Sequence, residues 1–492
     1  MRRPVHRFFL WAAVPSSALA ISALAIACAT EATIPDPEPE GGVQQPDTGT
    51  DAPQDPDAGD AGVDAPVVAC PDVIPDDVTG IYVAPTGVDS ATSGTRTAPC
   101  KSVGSSVVRA SVALRTKVYV ARGTYVGKVT LGPSAVGIEV IGGWDVIGMA
   151  WKRACVTPEE IVILRAPAAQ NITVEARDIG GETRLTDLRI DSKNQGQVNP
   201  GESIYGLVAV GTGASTTIVM SNVRVDVGNA GGGATGPKGD AGVDGGANCA
   251  AGTGLAGGAG TQGPGAPGGT YDPAIGYVPG TATAGTGGLM GADGTASLTA
   301  PTCVQCVTCA TALVPACDGV PTDMACGKAG TNGCGGGPGG PGNPAAGGGS
   351  SIGVFVHDAT VTIKGGKVKS GDGGNGGVGG VGGVVGVATK GAAGANTALC
   401  TTSCKLDVAM LTCIIDKTDR GLGGSAGGNG GNGGVGGAGG GGGGGSSFAI
   451  YQGGAGVVTT LGGATLGHGK AGRGGGPDAG SGATGAAADR LP

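Results

Sequence analysis

Aromatic side chains make up only 3% of this 492-residue sequence, and histidine occurs three times. So few bulky residues cannot fill one ordinary globular core of this length, so much of the chain must be built on another principle. Lys and Arg are missing altogether between Glu31 and Pro66, where ten Asp or Glu stand against a whole-chain net charge of −8. The remainder is close to neutral and carries no basic patch, which argues against nucleic acid as a partner. Beyond the first residues the only histidines are His357 and His468, in or beside glycine-rich turns. That leaves no Ser/His/Asp set, and no phosphate-binding loop occurs in a strand–helix context. Aromatic platforms for sugar stacking are scarce, the chain beyond its first residues offering Trp144, Trp151, a handful of Tyr, Phe355 and Phe448.

What is abundant is glycine, 108 residues of it, and it is not spread evenly. Three stretches look like the same structural rung, each followed by a glycine-dominated run. They are Ser203–Val210 with Ile218–Val225, Ser351–Val356 with Val361–Val368, and Ser447–Ile450 with Thr459–Leu466. A unit that recurs in space but is interrupted in sequence describes a stacked scaffold with long loops leaving one corner. This reading puts Val361 and Ile363 directly beside Ile218 and Met220, and expects excision of 231–348 to leave a folded β-rich protein.

The first 27 residues read as an export signal: Arg2, Arg3 and Arg7 form the charged start, Phe8 to Ile26 the apolar stretch, and small residues precede Cys28. The ending Leu24-Ala25-Ile26-Ala27-Cys28 resembles a bacterial lipobox, with Ala25 where Leu is usual. That resemblance implies diacylglycerol on Cys28 and a membrane partner through the lipid anchor. Ala29 in the next position implies the outer membrane. Residues 28–68 are rich in Pro, Asp, Gly and Thr and bury too little surface to offset their ordering entropy. They read as an acidic tether.

From Ile81 short β-branched runs alternate with Gly, Asn and Asp turns: Lys117–Ala121, Gly137–Ile141, Ile161–Leu164 and Leu185–Ile190. One helix interrupts them, with Val103, Val107, Ala110 and Leu114 on one face and Pro99 and Ser102 at its start. The run Ile81–Asp89, then Ser93–Val103, Val118–Tyr125 and Gly142-Gly143-Trp144, resembles the opening of a family of exported bacterial right-handed parallel β-helix proteins, similar in fold to pectate lyases. In that family a helix caps the first coil. The resemblance implies an all-β fold, a short right-handed parallel β-helix interrupted by glycine-rich inserts, with one amino-terminal capping helix. It implies no single activity. The resulting divisions are 1–27 signal, 28–68 tether, 69–230 amino-terminal solenoid, 231–349 Gly/Cys-rich insert, 350–370 rung, 371–445 insert, 446–467 rung and 468–492 tail.

Within the inserts, triplets such as Gly427–Ala438 have the three-residue period of polyproline II. They resemble the glycine-rich repeats of mycobacterial surface proteins and polyglycine-II bundles. Packed bundles and solvated disorder both fit this composition. The run Gly236–Gly245 looks collagen-like but holds too few triplets for a triple helix. Besides Cys28 there are thirteen cysteines: Cys70, Cys100, Cys155, Cys249, Cys303, Cys306, Cys309, Cys317, Cys326, Cys334, Cys400, Cys404 and Cys413. In an exported chain these are disulfide candidates, whose pairing the sequence leaves open. No metal or cofactor is expected.

One outward polar row could carry chemistry. In Asp187-Leu188-Arg189-Ile190-Asp191 the apolar residues face inward and the charges outward, and Arg224 with Asp226 repeats this. Polysaccharide lyases on the resembled fold place acids and a basic residue on such a face. A solvated ladder of alternating charges has the same pattern. The paired Glu159-Glu160 after Pro158 reads as a helix or turn start. The expectation is a non-catalytic surface lipoprotein of structural or interaction type, with a polysaccharide or cell-surface partner. The alternative is a lyase or binding protein for acidic polysaccharide.

Overall fold

The computed structural model describes residues 73–491 apart from 149, 156, 275, 311–316, 318 and 477–479. The stretches expected to be an export signal and a tether, with Cys28 and Cys70, lie outside the described residues. No helix among those described is long and apolar enough to cross a membrane.

The described chain is mostly β, built from three long sheets of parallel strands. Sheet A runs Gly80–Val83, Lys117–Ala121, Glu139–Ile147, Gly181–Thr186, Thr216–Ser221, Thr360–Lys364 and Val457–Leu461. Sheet B runs Gly123–Val126, Val162–Arg165, Arg189–Asp191, Arg224–Asp226, Lys367–Lys369 and Thr465–Gly467. Sheet C runs Val129–Leu131, Ile172–Arg177, Ile204–Val210, Ser351–His357, Ser447–Gly453 and Ala487–Leu491. After the first strands the chain visits A, B and C in turn, so each circuit adds one strand to each sheet. Strand Ala150–Arg153 folds back antiparallel on sheet A and brings Trp151 over Tyr82.

The sequence reading of the interrupted rungs holds at residue level. Ile218 pairs with Val361 and Met220 with Ile363, and Tyr205, Ile352 and Phe448 stand side by side in sheet C. Alternation decides which side chains meet: Val118, Val140, Leu185, Ile218, Ile363 and Val458 all point into one continuous core between the sheets. The helix forms over Val103–Val112 and buries Val103, Ser106, Val107 and Ala110 against the first coils. Two details differ from expectation. Leu114 lies beyond the helix at φ 53° and is exposed, because the chain turns sharply there toward Lys117. Ser102 stands at the helix start, but its hydroxyl donates to Ser105 Oγ and not to a helical amide.

The glycine-rich tracts are ordered. Segments 231–246, 252–266, 283–295, 327–349, 373–394, 421–445, 469–475 and 480–485 form parallel and antiparallel rods, bonded to one another at every third residue. For example, the amides of Gly233, Gly236, Gly239, Gly242 and Gly245 donate to the carbonyls of Asn375, Val378, Val381, Val384 and Val387. This three-residue period is that of polyproline II, which has no internal hydrogen bonds and so offers every amide to a neighbour.

The position of a rod sets its glycine content. Near its inner end, segment 421–445 bonds to six different segments. The amides of Gly440, Gly441 and Gly442 donate to Thr283, Gly480 and Gly377, and the carbonyls of the same three residues accept from Ala345, Ala266 and Gly475. With a backbone on every side no Cβ can be admitted, and Gly439–Gly445 is unbroken glycine. The outer segment 231–246 faces neighbours on fewer sides and tolerates the collagen-like Gly-x-y pattern.

All three tracts leave from the ends of sheet B strands and return into sheet C strands. At the return a pair of serines fixes the register. Ser350 Oγ accepts from Ser446 N at 2.8 Å, and Ser203 Oγ accepts from Ser350 N at 3.0 Å. Ser351 and Ser447 donate to Gly228 O and Gly371 O on the departing chain.

Candidate functional site

The outward row of sheet B is the natural place to look for chemistry. Register aligns Arg189 with Arg224 and Lys367 in one column, and Arg165 with Asp191, Asp226 and Lys369 in the next. Arg189 Nε donates to Asp191 Oδ1 at 2.6 Å, and its other nitrogens lie 3.3 Å from Glu160 and 3.4 Å from Asp226. Arg224 bridges Asp226 and Glu160, and Arg165 reaches Asp191 at 2.9 Å. Four of the five sequence candidates, Arg189, Asp191, Arg224 and Asp226, therefore come together in one closed network.

Asp187 does not join them. It sits in the turn between sheets A and B at φ 52°, paired with Arg153 and accepting from Asn222 Nδ2 at 2.6 Å. Asn222, in the same turn one coil later, adopts φ 51° and also donates to Glu159 Oε2 at 3.0 Å. Glu159 and Glu160 come from the 3-10 turn Pro158–Glu160, as the Pro-Glu-Glu pattern suggested. Their second role, clamping Asn222 and the two arginines, left no sequence signal, because 29 and 64 residues separate Glu160 from Arg189 and Arg224.

The electrostatics describe a ladder more than a reaction centre. Burial acts against its charge, yet hydrogen bonds to Asp226 and Glu160 hold the Arg224 pKa above the ordinary guanidinium value. A group held more firmly protonated is a poor proton acceptor, which is what a lyase base must be. The carboxylates of Asp191 and Asp226 already face guanidinium nitrogens, so a cation would have to displace them.

A second polar feature is a cleft of about 970 Å³ between the helix and the 89–98 loop, lined by Arg96, Arg109 and Arg115. Arg109 donates to Ser93 O at 2.6 Å and Arg115 to Gly80 O at 2.9 Å, so both hold loop backbone in place. Cys100 lies here as a buried thiol, 3.4 Å from Ser93 Oγ. This corrects its place among the disulfide candidates: it packs into the core beside Val83 and Val103, where no second cysteine approaches among the described residues.

The other cysteines divide by location. Cys249 pairs with Cys334 across the rods. At the rod ends farthest from the sheets stand two hairpins, Cys303–Thr308 with Val320–Cys326 and Cys400–Asp407 with Thr412–Asp419. Cys303–Cys326 closes the first, and Cys306–Cys400, Cys309–Cys404 and Cys317–Cys413 staple the two together. Cys155 is disulfide-bonded too. The grouping of Cys249, Asp293 and Cys334 suits no metal, since its sulfurs bond to each other and Asp293 accepts from Gly335 N at 2.8 Å.

Aromatic faces are likewise engaged. Tyr451 is sandwiched between Tyr271 at 4.1 Å and Phe355 at 4.9 Å, and Tyr119 stacks edgewise on Trp144. The hairpin Thr270–Asp272 with Gly276–Val278 lies over the outer face of sheet C, where Tyr277 N donates to Tyr205 Oη at 2.8 Å. None of these rings offers an open face to a sugar.

Comparison with protein-family models, with curated proteins and with solved structures returns no match to this chain.

Proposed function

We propose that this chain is a lipid-anchored surface protein of structural or interaction type. Its three sheets form a short right-handed parallel β-helix capped by the helix Val103–Val112. The glycine rods form a shaft on that base, and the disulfide-stapled hairpins are the head presented outward. The carrying observation is the fate of the charged row: its arginines and carboxylates neutralise one another, while the elaborate part of the molecule lies in the rods and head. Right-handed crossovers are the near-universal outcome for parallel strands in one sheet. Five disulfides among the described residues would be out of place in a reducing cytosol, and an exported location suits them.

Acylation of Cys28 supplies the anchor in this reading, at about 0.8 kcal/mol for each buried methylene. Replacing Cys28 by Ser should abolish labelling by a radioactive fatty acid and release the chain from membranes. Unchanged labelling would sink the anchor. An assay for unsaturated uronides, with acidic polysaccharide and calcium, separates this reading from a lyase. Activity lost in Arg189→Ala would overturn it.

A further inference from the structure

The last connection from sheet B to sheet C before the tracts begin, residues 192–203, encloses a lysine. The side chain of Lys193 has no exposed surface. Its Nζ lies 2.6 Å from Glu202 Oε1 and donates to Ala168 O at 3.0 Å. A buried cation needs a partner, and Glu202 supplies it. Lys193 takes no part in the charged row of sheet B, so its burial there calls for a separate account.

The same carboxylate holds a side-chain amide. Glu202 Oε2 accepts from Asn199 Nδ2 at 3.1 Å and from Asn199 N at 2.8 Å. One oxygen thus touches an amine nucleophile and the other a carboxamide, each within the range over which a carboxyl group passes a proton. The turn is pinned in this arrangement. Glu202 N donates to Asn199 O at 3.1 Å, Gly231 N to Glu202 O at 2.9 Å, and Gly201 N to Gly232 O at 2.8 Å. Asn199 faces solvent while the Lys193 side chain is shut away from it, so a leaving group has an exit and water has no access to the amine. An ion pair alone would need only Lys193 and Glu202; Asn199 adds an electrophile on the far side of the same carboxylate.

We propose that Lys193 and Asn199 become joined by an isopeptide bond within the folded chain, with Glu202 relaying the proton. Nζ passes one proton to Glu202 Oε1 and, as a free amine, attacks Asn199 Cγ. The adduct collapses when the attacking nitrogen gives a second proton to Nδ2. The Cγ–Nδ2 bond breaks, ammonia leaves, and it takes the proton held by Glu202, which returns to a carboxylate. One carbon–nitrogen bond forms and one breaks, and the balance needs no co-reactant. The new bond ties the exit of the strand Arg189–Asp191 to the entry of Ile204–Val210, beside the first residues of the first glycine rod. This goes beyond the surface role proposed above and does not depend on the anchor at Cys28.

The test is mass spectrometry of the reduced, trypsin-digested full chain, read on fragment 190–224, whose only internal trypsin site is Lys193. The bond removes one ammonia from this fragment and stops trypsin after Lys193, and fragmentation should place the link between residues 193 and 199. Pro200 follows Asn199 and has no N–H, so ammonia loss through a backbone succinimide is closed at this position. Lys193→Arg, which keeps a cation beside Glu202, should return the ammonia, and Asn199→Ala should restore cleavage after Lys193. Glu202→Gln should leave the two residues unlinked. Full mass and cleavage after Lys193 in the parent chain would overturn the proposal, whatever the variants do. Ammonia loss at Asn199 that survives Lys193→Arg would overturn it as well, and linkage undiminished in Glu202→Gln would remove Glu202 from the relay.

Discussion

At the scale of single residues the rods carry the sharpest constraint. Gly383 donates to Gly340 O, and a Cβ added to it would collide with Asp240 O. The obstacle is backbone, which cannot swing aside as a side chain can. Gly383→Ala should therefore destabilise the bundle by about 1–3 kcal/mol, the usual range for overpacking. Val381, two residues earlier on the same rod, is 60% exposed, and Val381→Ala should stay within about 0.5 kcal/mol. Thermal unfolding of the two variants checks the contrast, and equal effects would mean the rods do not pack at this spacing. A glycine triplet announces the period but not which neighbours surround a rod, so the sequence could not separate these two positions from disorder. Nor could it show the serines at the sheet C entry, although Ser350-Ser351 and Ser446-Ser447 stand in equivalent places before each returning strand.

Among elements, sheets and rods are stabilised by different forces. The sheets bury Val, Ile and Leu at alternate positions, a pattern visible in the sequence because period two survives any interruption between rungs. The rods bury almost no apolar side chains and rest on backbone hydrogen bonds, each worth only about 0.5–1.5 kcal/mol net against the large chain entropy of glycine. This difference accounts for the cysteines, ten of which lie in the tracts and head and pair there. Their connectivity was illegible because it depends on how two tracts, each returning on itself, lie beside one another. The charged row was legible as an outward face, but its closure by Glu160 was not, since the 3-10 turn approaches it only in the folded stack. Val361 tests the sheet side of this contrast. It is fully buried between Ile218 and Val458, so Val361→Asp should cost on the order of 4 kcal/mol by burying an unpaired charge. Hydrogen exchange should show the loss concentrated in the strands after Thr360. Uniform loss, or none, would contradict the stacking of that rung.

Across the whole molecule the structure changes what the long insert means. As a mere loop, 231–348 could be excised at little expense, because closure entropy grows only about 0.6 kcal/mol per doubling of length. In the fold it is woven into its surroundings. Its hairpin lays Tyr271 and Tyr277 over Tyr205, Phe448 and Tyr451, and its rods supply Thr283, Ala266 and Ala345 to the central segment. Excision would uncover the aromatic face of sheet C and strip half the neighbours from Gly440–Gly442. A protein lacking 231–348 should thus keep β-type circular dichroism from the sheets yet melt well below the parent and bind a hydrophobic dye. Replacing only the two head hairpins, Cys303–Cys326 and Cys400–Asp419, with short turns removes four of the five staples but leaves the aromatic cover of sheet C in place, and should lower the melting temperature far less than the larger deletion. If both deletions melt alike, the rods are passengers on the base. If the larger deletion alone falls, the glycine bundle and the three sheets form one cooperative structure in which glycine, not apolar bulk, decides how closely the chain can pack.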